Sequence, residues 1–151
     1  MKYLLLLIFY LVLVNIIPAQ SINVTGDWYY TIPNSDIIEA GEDFTGTYES
    51  GINQTYVDIE YNRKWEVFVH KVNIDWNNTF ILSVRRTGNG FGQKRVLGGT
   101  NYRKIKNRTA KIFSGDRDRF SIPLQYKIEK VSVTIPAHTY IVEIVYTVKA
   151  K

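Results

Sequence analysis

The chain has 151 residues, a formal net charge of +5 and no cysteine. Without thiols there are no disulfide staples, no thiol catalysis and no cysteine-based zinc site, so the fold must rest on hydrophobic burial and backbone hydrogen bonding. A chain of this size can bury one core of its own, and no linker-like stretch asks for a second domain.

Residues 1–19 have the order of a secretory signal peptide. Lys2 is the only charge, an unbroken apolar run follows from Tyr3 to Val14, and Pro18 and the small Ala19 end it. The run is shorter than the roughly 20 residues of a transmembrane helix. Cleavage is therefore expected between Ala19 and Gln20, leaving residues 20–151 as one domain with no membrane span, destined for the periplasm, the cell surface or the medium.

From Gln20 onward, apolar residues recur at every second position, the period of a strand with one buried face. Ile22, Val24, Gly26, Trp28, Tyr30 and Ile32 share one parity, and Val57, Ile59 and Tyr61 share another. From Trp65 the inward set is Trp65, Val67 and Val69, then Val72, Ile74 and Trp76, which predicts a β-bulge near His70 and Lys71. Phe80, Leu82 and Val84 form the next strand. Phe120, Ile122, Leu124, Tyr126 and Ile128 alternate most regularly, with Pro123 placing its side of that strand at an edge or a bulge. The last run, Thr139 to Val148, carries Tyr140, Val142, Ile144, Tyr146 and Val148 on one face and Ile141 and Val145 on the other, which predicts a central strand or one covered on both sides. Turn signals separate the runs and no helical period is present. The fold class is all-β, a single antiparallel sandwich of about seven to eight strands, with a barrel as the alternative.

Charge is segregated along the chain. Eight acidic residues and no Lys or Arg fall between Asp27 and Glu60, whereas nine basic residues and no Asp or Glu fall between Trp76 and Gly115. The expectation is that the two stretches lie side by side and neutralise each other. If they lie apart, head-to-tail contact between copies is favoured.

The segment from Phe113 to Tyr126 (FSGDRDRFSIPLQY), the segment from Val131 to Tyr140 (VSVTIPAHTY) and the stretch from Val145 to Val148 (VYTV) together resemble the C-terminal part of bacterial spore coat U and chaperone-usher pilin-like domains. In that family an Ile-Pro-Ala-Gly-x-Tyr turn leads into a final alternating strand. Here Pro136, Ala137, His138, Thr139 and Tyr140 follow Ile135, with His138 in place of the glycine. The resemblance covers residues 113–151 only. It implies an Ig-like or pilin-like sandwich, which in such domains can lack a strand supplied by a neighbouring copy or a periplasmic chaperone. Ile22, Val24, Trp28 and Tyr30 are the candidate donor or edge strand; the plainer expectation is that this segment is the first strand of its own sheet. The missing disulfide and the tail Lys149, Ala150 and Lys151 depart from the family pattern.

The residues suggest no enzyme chemistry. His70 and His138 have no spacing that suggests a metal site or a triad. The loop from Gly88 to Gly92 has no helix signal after it and reads as a mobile strand connection rather than a phosphate loop. The run Asp116, Arg117 and Asp118 reads as a solvated turn with local ion pairs rather than a calcium site, and the acidic turn from Glu39 to Asp43 is a second, equally unsupported candidate. No catalytic, cofactor or metal residue is assigned. Tyr29 and Trp76 are the candidate ligand-stacking aromatics, although most aromatics of a β domain serve its core. An exported chain has little use for nucleic-acid binding. The expected role is a non-enzymatic structural or adhesion-type subunit, pilin-like or coat-like, whose partners are copies of itself or a related subunit. The alternative is a carbohydrate-binding module taking an anionic glycan.

Overall fold

The computed structural model describes residues 19–36, 43–44 and 46–151. The expected signal peptide lies outside the described residues up to position 18, as does the acidic turn apart from Asp43. Nine strands are described: β1 (Ser21–Thr25), β2 (Tyr48–Glu49), β3 (Thr55–Glu60), β4 (Lys64–Asp75), β5 (Ile81–Arg86), β6 (Arg103–Lys104), β7 (Ala110–Asp116), β8 (Arg119–Glu129) and β9 (Ile141–Ala150). A 3-10 turn covers Asn34–Asp36, and no described helix is long and apolar enough to cross a membrane. The strands form two antiparallel sheets. The larger has the order β1-β3-β8-β5-β6, with β2 also pairing β8; the smaller has the order β7-β4-β9. The expected all-β sandwich is what forms.

The core lies between the inward rows of the two sheets. The larger sheet contributes Val57, Ile59, Leu82, Val84, Ile122 and Leu124, and the smaller contributes Trp65, Val67, Val69, Phe113 and Val148. Trp65 and Phe113 are fully buried and meet edge to face at 6.2 Å. Each such side chain stabilises the fold by about 1.5–3 kcal/mol through burial. Trp65 sits against Gly115, where a Cβ would come within 2.3 Å of its ring. Its Nε1 donates to the Arg117 carbonyl at 2.8 Å.

Several sequence expectations give way here, each for a local reason. The strand predicted from Ile22 to Ile32 stops at Thr25, because Gly26 takes φ 105° and a Cβ there would lie 2.4 Å from the Gln54 carbonyl oxygen. The parity change near His70 and Lys71 does not occur. Strand β4 keeps its odd residues inward through Lys71, so Val72 and Ile74 face outward. The irregularities lie elsewhere: β7 gains a residue opposite Val67 and Phe68, which turns both Ile112 and Phe113 inward, and Ile74 is the extra residue opposite β9. Strand β8 also bulges, at Ser121 with φ 54°, opposite Val57 to Ile59. The bulge leaves Phe120 exposed and turns Arg119 inward.

Strand β8 is central, between β3 and β5, and Pro123 is nevertheless accommodated. Its carbonyl accepts from Thr87 N at 3.0 Å, and in an antiparallel strand the missing N–H points the same way, beyond the end of β5. Strand β9, expected to be central or doubly covered, is instead an edge that pairs with β4 alone among the described strands. It runs close to β1, and Gln20 Nε2 donates to the Val148 carbonyl at 3.2 Å, tying the two edges together.

Candidate functional site

The sequence-selected residues scatter over three places. Ala19 and Gln20 are exposed at the start of the described chain, and Ile22 and Val24 lie on β1, paired with Ile59 and Val57 of the same domain. Strand β1 is the outer edge of the larger sheet and is mostly exposed; Ile22 alone is half-buried. Trp28 and Tyr30 do not continue that strand. Trp28 stacks on Tyr126 at 6.2 Å, and Tyr30 tilts against Tyr48 at 5.0 Å. The buried Tyr126 and Tyr146 hydroxyls are 3.0 Å apart. These aromatics form a plug, and Trp28 and Tyr30 belong to its packing.

The two candidate stacking residues differ. Tyr29 is 90 % exposed, whereas Trp76 is half-buried, with the edge of Phe80 at 5.3 Å and the Lys71 ammonium over its ring at 5.4 Å. Its ring is engaged by protein and is a poor platform for a sugar.

The acidic and basic stretches separate across the larger sheet, contrary to the expected neutralisation. Asp27, Asp58 and Glu60 lie on or beside β1 and β3, while Arg85, Arg103 and Lys104 lie on β5 and β6, with β8 between. Among the described residues no ion pair joins the two stretches. The pairs present are Lys111–Glu66, Lys127–Glu129 and Lys151–Glu66. Where the stretches come nearest, Gln125 spaces them: its Oε1 accepts from Arg85 Nη2 at 2.8 Å and its Nε2 faces Glu49 at 3.4 Å. Arg85 and Lys127 flank the Tyr102 ring at 4.7 and 4.8 Å.

A cleft of about 270 Å³ opens where β4 and β6 approach, lined by Lys71, Asn78, Phe80, Lys104, Ile105, Lys106 and Asn107. Lys71 N donates to the Lys106 carbonyl at 2.9 Å and Ile105 N to the Leu82 carbonyl at 2.8 Å, which fix the cleft's wall to both sheets. The Lys71 side chain points inward from β4 and is 8 % exposed. Burial pushes its ammonium below the usual lysine range, and neighbouring Lys104 adds to the effect. Among the described residues it has no carboxylate partner. Sequence reasoning missed this site because it gave the inward position to Val72. The signal available was the lysine itself, at the odd position that continues Trp65, Val67 and Val69.

The loop from Gly88 to Gly92, expected to be mobile, is pinned. Arg86 is 6 % exposed and its guanidinium donates to the carbonyls of Gly88, Val96 and Gly98 and to Asn89 Oδ1, at 2.6 to 3.3 Å. Phe91 and Phe120 exchange backbone bonds at 2.7 and 2.9 Å. Among the described residues the turn at Asp116 to Asp118 makes no ion pair. Asp118 Oδ1 accepts from Tyr61 N at 2.7 Å, and Arg117 donates to Gln93 at 3.1 Å. His70 lies on β4, and His138 contacts the Asp75 carboxylate at 2.6 Å. Among the described residues no group of three or more His, Asp or Glu side chains could hold a metal ion. Compared with known proteins, the chain matches no family model, no curated protein and no solved structure.

Proposed function

We propose that this domain is an exported, non-enzymatic subunit, pilin-like or coat-like, that acts by association with copies of itself or a related chain. The observation that carries this reading is the separation of charge across the larger sheet. One flank carries exposed Asp27 and Glu60, and the other carries exposed Arg103, Lys104, Lys106 and Arg108. A second copy brought head to tail sets unlike flanks against each other, and repetition of that contact builds an open assembly. Among the described residues β1 pairs with β3 on one side only, which leaves its outer side for edge pairing in the same contact. A donor-strand version asks β1 to leave Glu60 to Tyr56 of its own β3, a modest loss for a strand that buries one half-covered isoleucine.

The test is light scattering coupled to size-exclusion chromatography on the purified protein at rising concentration, in low and high salt. Oligomers should form at low salt and disperse at high salt, and the double substitution Asp27→Lys with Glu60→Lys should leave a monomer in both. A protein that stays monomeric at every concentration and salt refutes the proposal. The carbohydrate-binding alternative rests on the exposed Tyr29 ring and is tested by whether glycan-array hits disappear in Tyr29→Ala.

A further inference from the structure

We infer that the cleft bounded by Lys71, Lys104 and Lys106 binds a tetrahedral oxyanion, a sulfate or phosphate group that is either free or esterified on a larger acidic molecule. The inference is independent of self-association. Three lysines are among the residues that line one small opening, and no Asp or Glu is among them. Such a cluster repels itself unless something negative enters it. Lys104 and Lys106 are exposed and their repulsion is weakened by water. Lys71 is different, because it stands on the inward row of β4 and is nine-tenths buried.

A buried cation without a partner is costly. Lysine limits that cost by running its stem along apolar surface and leaving its head at an opening; here the ammonium lies over the Trp76 ring at 5.4 Å, and Phe80 and Ile105 line the cleft. Lys71 reaches the cleft from the inward row of β4, while the two other lysines are exposed. The neighbouring polar groups suit an acceptor-rich guest. Asn78 and Asn107, both amide side chains, are among the lining residues.

Size and charge type narrow the guest. At about 270 Å³ the cleft falls just below the roughly 300 Å³ at which pockets for whole small molecules begin. It has room for a tetrahedral oxyanion together with water or the group that carries it. Lysine binds phosphate as a point charge and sets no planar fork that the guest must match. All three cations here are lysines.

The experiment is an amide NMR titration of the purified protein with sodium sulfate, sodium phosphate and dextran sulfate, each against sodium chloride at matched ionic strength. Saturable shifts are expected at Lys71, Asn78, Lys106 and Asn107. Lys71→Met should weaken binding by at least about tenfold, since a hydrogen bond to a charged group is lost. Lys94→Gln, at an exposed position outside the lining, should change it by no more than about twofold. Saturation with the inorganic ions assigns a free ion; saturation with dextran sulfate alone assigns an ester on a polymer. Should Lys71→Met fail to fold, the double substitution Lys104→Gln with Lys106→Gln carries the test, because both side chains are exposed. Shifts that follow ionic strength alone, or binding that both sets of substitutions leave unchanged, overturn the inference.

Discussion

Lys71 of β4 and Arg86 of β5 are two of the cations that this sandwich turns inward, and they are treated differently. Arg86, at the end of β5, is enclosed by loop 87–99 and spends its donors on three backbone carbonyls and one side-chain amide. Lys71, within β4, is almost as buried but has a cleft in front of it and no carboxylate to meet. Both are held below their usual ranges by burial, Arg86 with added repulsion from Arg119 and Arg95, and Lys71 with repulsion from Lys104. Burial of a charge is thus no mark of function by itself. The inventory of partners separates a cation that organises a loop from one that awaits a ligand.

The largest expected effect lies on the arginine. Arg86→Met keeps much of the stem but strands the carbonyls of Gly88, Val96 and Gly98, so a loss of about 3 kcal/mol is expected in urea unfolding. The loop should also become the first site of proteolysis. Arg86→Lys should recover only part of the loss, because one ammonium cannot reach all four acceptors. A loss below about 1 kcal/mol would show that the loop carbonyls find water as readily as they find arginine.

Much of the architecture was legible in the sequence because alternation is a direct consequence of one-sided burial. The inward sets Val57 with Ile59, Trp65 with Val67 and Val69, and Leu82 with Val84 lie where their period puts them. What alternation cannot show is an extra residue forced by the strand opposite. The bulges at Ser121, Ile112 and Ile74 depend on pairing partners far away in the chain. They are why Phe120 faces solvent and Arg119 does not. The same blindness hid the cleft: Lys71 becomes part of a site only through Lys104 and Lys106, delivered by a different strand and sheet. The charge segregation was plain in the sequence, but its separation across β8 depends on strand order, which no local pattern encodes.

The next effect contrasts Lys71 with a buried group of opposite sign. The Tyr126 and Tyr146 phenols are pushed above their usual value of 10.0, by burial first, and Tyr48 is pushed up to about 12 by burial with help from the Asp36 carboxylate. A phenol that resists ionising when folded contributes stability that is fully present below pH 10.0 and is lost as the pH climbs beyond it. Lys71 works the other way. Its folded form gives up the proton before an unfolded lysine does, so stability is regained as the pH rises from its lowered value toward 10.5. Three phenols outweigh one lysine, and the melting temperature should fall above pH 10.0. Tyr146→Phe should flatten that fall at a cost of about 1 kcal/mol at neutral pH, from the hydroxyl pair it breaks. An alkaline fall as steep as in the unsubstituted protein would remove Tyr146 from the account.

The smallest stability effect is expected where the ligand effect is largest. Lys71→Met replaces an ammonium that lies over the Trp76 ring, with no carboxylate partner among the described residues, by an apolar side chain of similar length. Removing the charge relieves desolvation and the push from Lys104, while removing Nζ strands no described acceptor. Thermal or urea unfolding should therefore differ by less than about 1 kcal/mol, in either direction. Set beside Arg86→Met, this is the sharpest form of the comparison. A drop comparable to the arginine's would mean that Lys71 holds structure together, and the cleft would then need its ammonium for folding rather than for an anion.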